Sequence, residues 1–577
     1  MRFEVWAPSA GRVELVHRSK RIEMARDEYG YWRVEAPQSR AGDYYGFSVD
    51  GGDLLPDPRS PWQPLGVHGV SRLLDHSDFA WTDGDWRGMA PPGDLVYEIH
   101  VGTFTEQGTF DAAAAKLDHL VDVGVGAVEV MPVAEFPGER GWGYDGVDLY
   151  APHHAYGGPD GFKRFVDACH GRGLGVILDV VYNHLGPDGN YLGRFGPYFS
   201  NRYSTVWGDA VNLDGPGSDE VRSFFVENAL GWLEHYHLDG LRLDAVHAIF
   251  DQSAVHFLEE LSDRVDELKN RLGRTLFLVA ESDLNDPRIV TPREAGGYGV
   301  NAVWSDDFHH ALHALLTGDR SGYYADYGAV GQVAKALASV YVYEGNYSAH
   351  RARRHGRPVG DLPGNRFFGY LQNHDQIGNR ALGERSSHLM SHELLKVGAA
   401  LVLTAPFVPL LFQGEEWGAS TPFCYFTDHS DPELGRTVSE GRRREFASFG
   451  WDPGSVPDPQ DAETFNMSKL NWSELDEPLH AELLAWHRDL IRLRRAEPAL
   501  HDGRRDLVAV RFDENERWLV MERGPITVAC NFSDRVTTIP LSVERAERVL
   551  LTSVEPPEVR AESVELGPES VTIFSSA

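Results

Sequence analysis

The sequence predicts an α/β protein with a (β/α)8 TIM barrel as catalytic domain, flanked by an N-terminal β-sandwich and a C-terminal β-sandwich. Segments with strand and helix character alternate from residue 94 to about 500, which is typical of a barrel built from β/α units. The first 90 residues and the last 70 or so instead contain short alternating strands separated by Gly, Asp and Pro. A chain of 577 residues also exceeds one compact core, so several domains are expected.

The predicted units follow from where these patterns change. They are a carbohydrate-binding-module-like sandwich at 1–90, a barrel at 91–504 with irregular insertions near 185–217 and 318–365, and a sandwich at 505–577. The stretch Ala90-Pro91-Pro92-Gly93 is predicted as the first linker because Pro and Gly interrupt regular structure.

Eight apolar runs are predicted as the barrel strands. They are 95–102, 127–133, 175–181, 238–245, 275–281, 300–305, 367–372 and 407–412. Helical spacing of apolar residues predicts helices near 114–121 and over 160–171, 218–237 and 253–272. Ser218 is expected to cap the third of these helices, and Glu220 to lie in its first turn.

Composition excludes several classes of function. Lys and Arg number 54 against 87 Asp and Glu, so the net charge of −33 argues against nucleic acid, which needs clustered cations. The longest apolar run, 397–412, is interrupted by Pro406 and Pro409 and is too short to cross a membrane comfortably. The N-terminus lacks the layout of a signal peptide, so a cytoplasmic protein is expected. Three widely spaced cysteines indicate neither disulfides nor a metal site.

Four segments each carry a carboxylate beside a short apolar run. They are DVVYNH at 179–184, GLRLDAVH at 240–247, LVAESD at 278–283 and LQNHDQ at 371–376. Their carboxylates are Asp179, Asp244, Glu281 and Asp375. Parallel barrel strands deliver such groups to one mouth. Glycoside hydrolysis needs two carboxyls on opposite sides of one bond, so the sequence predicts a sugar-cleaving site.

Neighbouring residues suit this chemistry. Arg242 lies two residues before Asp244 on the same face of the strand, where its charge would favour an ionised nucleophile. Glu281 follows Leu-Val-Ala, and apolar surroundings would raise the pKa of a proton donor. His184 and His374 adjoin strand ends and can bind sugar hydroxyls. Tyr144, flanked by glycines, is a candidate platform for a sugar ring.

The four segments closely resemble the four conserved sequence regions of the α-amylase family, glycoside hydrolase family 13, and occur in that family's order. The resemblance implies that Asp244 is the nucleophile, Glu281 the general acid/base and Asp375 the transition-state stabiliser, with retention of configuration. The residues expected to bind substrate are Tyr144, Asp179, His184, Arg242, His247, Asp306, Asp307, His309, His310, His374 and Gln376. Many α-amylases bind calcium through a His four residues after the nucleophile. Ala248 stands there, so neither a structural metal nor a cofactor is expected.

Within the family, a leading β-sandwich is typical of branching enzymes, debranching enzymes and trehalohydrolases. Five segments look most like the trehalohydrolases: 131–147, 150–192, 203–225, 304–313 and 410–429. That resemblance implies hydrolysis of the α-1,4 bond next to the terminal trehalose unit of maltooligosyl trehalose. It also implies maltooligosyl trehalose synthase as a partner in the pathway, though not as a physical complex.

The residues that would distinguish a trehalose end are harder to predict. Asp306, Asp307, His309 and His310 follow the sixth strand and could face the mouth, although an Asp capping a polar helix start is the alternative. Tyr343 and Glu344 are further candidates, in the second insertion. Branching or debranching enzymes of the same family are the alternative function. A non-catalytic glycan-binding barrel is a more distant one, opposed by the presence of all three catalytic carboxylates.

Overall fold

The structure is a computed structural model. It describes residues 1–89, 94–205, 207–448, 454–542, 548–557, 559–560 and 562–576. The predicted linker at 90–93 lies outside the described residues. No helix in these ranges combines the length and apolarity that crossing a bilayer requires.

The centre of the chain forms a closed barrel of eight parallel strands. In chain order they are β1 (Val96–Ile99), β2 (Ala127–Val130), β3 (Gly175–Val180), β4 (Gly240–Leu243), β5 (Phe277–Ala280), β6 (Ala302–Trp304), β7 (Phe367–Gly369) and β8 (Val408–Phe412). Each strand pairs with the next, and β8 pairs with β1 to close the ring. Every observed strand lies inside its predicted run, so the predicted fold class is confirmed.

The inside of the barrel has two layers of different chemistry. Val96, Ala127, Ile177 and Phe277 belong to a buried apolar cluster. Two residues further along the first three of these strands stand Glu98, Glu129 and Asp179, and Arg242 lies two residues after the start of β4. Because side chains alternate along a strand, residues two apart point to the same side. The barrel therefore has an apolar floor beneath a charged layer, and Asp244 and Glu281 follow that layer at the ends of β4 and β5.

Helices surround the barrel. The longer ones are Gly158–His170, Ser218–His235, Phe257–Leu272, Asp306–Thr317, Val330–Ser339, His392–Thr404, Pro432–Ser448 and Pro478–Ala496. Shorter ones are Val101–Phe104, Phe110–Ala114, Leu117–Val123, Leu192–Phe195, His374–Gly378, Ser386–Leu389, Ala462–Met467 and Pro498–His501. The predicted helix near 114–121 is therefore two short helices. The prediction that Ser218 caps its helix is wrong, because Ser218 is the first helical residue and Gly217, with φ 80°, precedes it. Glu220 lies in the first turn, as predicted.

Antiparallel sheets are formed by the parts of the chain before and after the barrel. The N-terminal strands are Arg2–Trp6, Val13–His17, Lys20–Glu23, Ala25–Arg26, Tyr31–Glu35, Tyr44–Val49, Leu54–Leu55 and Ser71–Arg72. The C-terminal strands are Val508–Asp513, Trp518–Arg523, Ile526–Asn531, Thr537–Pro540, Arg548–Thr552, Val559–Arg560, Ser563–Leu566 and Ser570–Ser575. Each region forms two sheets. The domain boundaries themselves stay predictions.

Short hairpins interrupt the barrel repeat near its mouth. Ala134–Glu135 pairs with Asp148–Pro152 after β2. In the first predicted insertion Phe199–Thr205 pairs with Gly208–Val211. In the second, Tyr347–Ser348 pairs with Arg353–Arg354. The loops of the first two hairpins carry Trp142, Tyr144 and Trp207, which line the site described next.

Candidate active site

Asp244 is the first residue after β4 and is held by donors on both carboxylate oxygens. Arg242 Nη1 lies 2.9 Å from Oδ1, and Asn183 Nδ2 donates to Oδ2 at 2.8 Å. The same Arg242 nitrogen donates to Asp179 Oδ2 at 2.6 Å. Arg242 itself is fully buried. These two donors fix the direction of the Asp244 carboxylate.

Glu281 is the first residue after β5 and occupies a different environment. The backbone N–H of Ala245 donates to its Oε2 at 2.6 Å, while Arg242 Nη2 is 3.8 Å away. Burial raises the pKa of Glu281 well above its usual value. Arg242 opposes this shift, and three surrounding carboxylates reinforce it. Glu281 therefore keeps its proton where an ordinary carboxyl would lose it, as a proton donor requires.

Asp375 lies in the short helix that follows β7. Its side chain is 46% exposed, and Asn379 Nδ2 donates to its Oδ1 at 3.2 Å. The preceding His374 is buried and bonds to both oxygens of Glu98, through its backbone N–H and its Nδ1. Burial alone would lower the pKa of His374, but the charges of Glu98 and Asp375 raise it. Glu98 thus anchors the segment that carries Asp375.

Tyr144 connects two of these groups. Its hydroxyl donates to Asp179 Oδ2 at 2.6 Å and lies 2.7 Å from His374 Nε2. Its ring stacks on the His374 ring with centroids 5.2 Å apart. Burial raises the pKa of Asp179 to about 6, although Arg242 opposes the shift. The predicted role of Tyr144 as a sugar platform stays a prediction.

The mouth of the barrel holds a cavity of about 630 Å3, within the range of small-molecule sites. Seven residues predicted from the sequence line it: Tyr144, His184, Asp244, His247, Glu281, His374 and Asp375. Asp179 and Arg242 lie behind them, in contact with Tyr144 and Asp244. The structure thus brings the four strand-end segments together around one space.

Asp306 and Asp307, which follow β6, have different surroundings. Asp306 accepts a hydrogen bond from the Tyr370 hydroxyl, and burial raises its pKa to about 7, with nearby carboxylates adding to the shift. Asp307 is buried and accepts from Asn285 Nδ2 and from the backbone N–H groups of Val342 and Tyr343. The prediction that Asp307 faces the mouth is wrong, because the helical turn directs it into the protein.

The two histidines of this helix are also turned inward. His309 is buried, pairs with the Tyr324 hydroxyl at 2.9 Å and stacks on Tyr370. His310 is 5% exposed and packs against the rings of Tyr323 and Tyr327. Neither lines the cavity, so the prediction that they face it is wrong. The alternative is right that a helix begins here with polar residues, because both Asp residues lie in its first turn, but Ser305 and not an Asp occupies the cap position.

Three remaining residues that were predicted to bind substrate do not line the cavity. Gln376 Oε1 accepts from the hydroxyls of Tyr323 and Tyr324, each at 3.2 Å. Tyr343 is buried, and its backbone N–H bonds to Asp307. Glu344 forms an ion pair with Lys335 at 3.2 Å. Their roles in substrate binding stay predictions.

Sequence reasoning missed several contributors to the site. Asn183 adjoins His184 in the DVVYNH segment, and Glu98 is a charged residue inside the apolar run of β1; both signals were present. Trp207 stacks on His184 with centroids 4.2 Å apart and is half exposed toward the cavity. Tyr425 and Arg442 line the cavity from the chain after β8; Tyr425 lies in the segment 410–429, and Arg442 lies in none of the segments named from the sequence.

One group of described side chains is close enough to hold a metal ion: Glu135, His153 and His154. The lone pairs of this group are already engaged. His153 Nδ1 accepts from the Ala155 N–H, and its Nε2 contacts the Phe136 carbonyl oxygen at 3.2 Å. His154 Nδ1 lies 2.6 Å from Glu135 Oε1. The contacts fit a hydrogen-bonded ion pair better than a set of ligands.

Comparisons with known proteins agree with this geometry. The family of α-amylase catalytic domains matches residues 77–203, and a domain of unknown function (DUF3459) matches residues 503–573. A malto-oligosyltrehalose trehalohydrolase from Arthrobacter ramosus is 52% identical over 91% of this chain and 92% of its own. The same enzyme from Rhizobium sp. (strain M-11) is 48% identical over 99% and 97%.

A solved structure from Salmonella typhimurium, provisionally described as an α-amylase, has a TM-score of 0.92 and 38% identity. The match covers 100% of this chain and 97% of that one. A group B Streptococcus pullulanase has a TM-score of 0.75 at 16% identity, which shows a shared fold. Identity near one half over almost the whole length is decisive: the chain belongs to the malto-oligosyltrehalose trehalohydrolases, within the α-amylase family of glycoside hydrolases.

Proposed function

We propose that this protein hydrolyses the α-1,4-glucosidic bond next to the terminal trehalose unit of maltooligosyl trehalose. The products are trehalose and a shortened maltooligosaccharide. The observation that supports the chemistry best is the contrast between two strand-end carboxyls on one cavity. Asp244 is bonded by a buried cation, whereas Glu281 has a raised pKa. The substrate rests on the names of the relatives.

The proposed reaction proceeds in two steps with retention of configuration. In the first, an oxygen of Asp244 attacks the anomeric carbon while Glu281 gives its proton to the departing glycosidic oxygen. Trehalose leaves, and the glucan remains attached to Asp244 as an ester. In the second step Glu281, now ionised, takes a proton from water. That water attacks the same carbon and releases the maltooligosaccharide.

The other polar groups would hold the sugar ring during both steps. Asp375 is exposed in the cavity, where its charge would stabilise the positive charge that develops on the ring. His184 and His374 also line the cavity and would bind ring hydroxyls. Asp179 and Tyr144 are bonded to each other, so their orientation is set before substrate arrives. No cofactor takes part in this proposal, and a synthase that makes the trehalose end would supply the substrate.

Product analysis tests the proposal. Purified protein is incubated with maltooligosyl trehalose, maltoheptaose or pullulan, and the sugars are separated by chromatography. Free trehalose should dominate from the first substrate, with little turnover of the other two. Rearrangement of maltoheptaose into branched chains would indicate a branching enzyme, and maltotriose from pullulan a debranching enzyme. Either result, without trehalose, would refute the proposal.

A further inference from the structure

We propose that Arg442, on the helix Pro432–Ser448, is a positioning residue that aligns the Asp375 carboxylate through the side-chain amide of Asn379. This inference rests on the role proposed above for Asp375. Arg442 lies outside the four strand-end segments and comes from the chain after β8. Its contribution would extend the catalytic apparatus to an element that no motif marks.

Asp375 needs such support more than the other two carboxylates do. Asp244 has a guanidinium and an amide on its two oxygens, and Glu281 has a backbone donor. In the described part of the chain, the one hydrogen bond to the Asp375 carboxylate comes from Asn379 Nδ2, at 3.2 Å. His374 Nε2 is farther away, at 3.7 Å. The direction of the Asp375 carboxylate therefore depends on the direction of one amide.

Arg442 determines which way that amide points. Its Nη1 donates to Asn379 Oδ1 at 3.2 Å, and its Nη2 donates to the Gly378 carbonyl oxygen. A guanidinium has donors and no acceptor, so the Asn379 oxygen must face it. The amide nitrogen is then turned toward Asp375. Without Arg442 the amide could rotate and present its oxygen to the carboxylate, which would repel it.

The guanidinium is itself fixed in place. The Arg442 side chain is 11% exposed and lies over the rings of Tyr425 and Phe446, 5.3 and 4.6 Å from their centroids. Glu445 Oε2 is 3.2 Å from Nη1. A cation held over two aromatic rings loses little freedom when it also donates hydrogen bonds. Arg442 therefore behaves as a rigid support for the segment 378–379.

The test compares Arg442→Ala with Arg442→Lys and with a control on the same helix. Arg443→Ala is the control, because Arg443 pairs with Asp458 at 3.0 Å and its side chain is 43% exposed. On maltooligosyl trehalose, Arg442→Ala should lower kcat about tenfold and change KM less than about twofold, because misalignment affects the transition state most. Arg442→Lys should recover part of kcat, and the control should behave like the wild type.

A second comparison, made in the Asp375→Asn variant, tests whether Arg442 acts through Asp375. Asp375→Asn removes the group that Arg442 is proposed to align, so adding Arg442→Ala should then lower kcat little further. Equal losses of kcat in both backgrounds would overturn the inference, as would an unchanged kcat in Arg442→Ala or an equal loss in Arg443→Ala. Absence of trehalose release by the wild type would instead refute the proposed function. If Arg442→Ala lowers the melting temperature so far that unfolded protein accounts for the loss of kcat, Arg442 has a structural role and the inference is likewise overturned.

Discussion

At the scale of single residues, Arg242 contacts the two proposed catalytic carboxyls at different distances. It donates directly to Asp244 at 2.9 Å but stays 3.8 Å from Glu281. Because Arg242 is farther from Glu281, burial has the larger effect there, and the pKa of Glu281 is raised. One cation therefore bonds the proposed nucleophile, while burial outweighs its effect on the pKa of the proposed acid.

Removing either proposed catalytic carboxyl should abolish most turnover. We expect Asp244→Ala and Glu281→Gln each to lower kcat by about three orders of magnitude or more, because each removes a covalent or proton-transfer step. Initial rates of trehalose release measure this, with circular dichroism to show that the variants fold. A variant that keeps more than about a tenth of the wild-type rate would disprove its assigned role.

The pH dependence of turnover should report the raised pKa of Glu281. The reaction needs the protonated form, so kcat should fall on the alkaline side as pH rises through that pKa. The charge of Asp306 contributes to the raised pKa of Glu281. Asp306→Asn should therefore move the alkaline limb of kcat to lower pH. A shift to higher pH, or none, would contradict this account.

At the scale of elements, the strands were predictable and several details of the helices were not. Each barrel strand is buried on both faces, so it appears as a continuous apolar run that sequence can reveal. Whether Asp307 faces the mouth depends on the rotation of one helical turn, and the residues Val342 and Tyr343 that bond it lie 35 and 36 positions away. The sequence around Asp307 does not reveal hydrogen-bond partners that lie so far along the chain.

The same limit applies to helix starts and to the walls of the cavity. Ser218 has the right chemistry for a cap, but the left-handed backbone of Gly217 already turns the chain into the helix. Arg442 reaches the site from an exposed amphipathic helix whose sequence resembles ordinary surface. The four carboxylate segments could be predicted because each sits at the end of a recognisable strand.

The short helix His374–Gly378 should tolerate no side chain at its last residue. A Cβ on Gly378 would lie 2.0 Å from the ring of Trp142, which is buried and bonded to the Cys424 carbonyl oxygen. We expect Gly378→Ala to destabilise the protein by about 1–3 kcal/mol through overpacking, and to lower kcat by displacing Asp375. Urea unfolding and trehalose release measure the two effects.

Gly441→Ala provides a matched control for this substitution. Gly441 lies in the helix Pro432–Ser448, and a Cβ there would meet nothing within 4 Å. Alanine favours helix, so this variant should be as stable as the wild type or up to about 1 kcal/mol more stable. Equal behaviour of the two variants would show that the contact with Trp142 does not constrain the site.

At the scale of the whole molecule, Asp83, in the segment before the barrel, is bonded to two histidines of the barrel region. Asp83 Oδ2 is 2.8 Å from Nδ1 of both His170 and His237, and His170 Nε2 is 3.1 Å from Asp239. Burial alone would lower the pKa of His170, but Asp239 and Asp83 raise it above its usual value. The charged form of His170 is therefore favoured in the folded protein.

This network should make stability depend on pH. Because the folded-state pKa of His170 is raised, its contribution is complete below the unfolded value and is lost as pH rises through the folded value. The free-energy difference of unfolding between wild type and Asp83→Asn should thus be larger at about pH 6 than at about pH 9. Urea titrations at both pH values measure it. A difference that grows with pH would contradict the assigned charge.

The apolar floor of the barrel has a consequence for the proton that Glu281 carries. In the described part of the chain, water meets the charged layer from the cavity side, because the opposite side is packed with Val96, Ala127, Ile177 and Phe277. The acid therefore exchanges with bulk solvent through the same opening that admits the glucan. A sugar chain bound in that opening blocks proton exchange between Glu281 and bulk water. The glycosidic oxygen is then the acceptor that remains for the proton of Glu281.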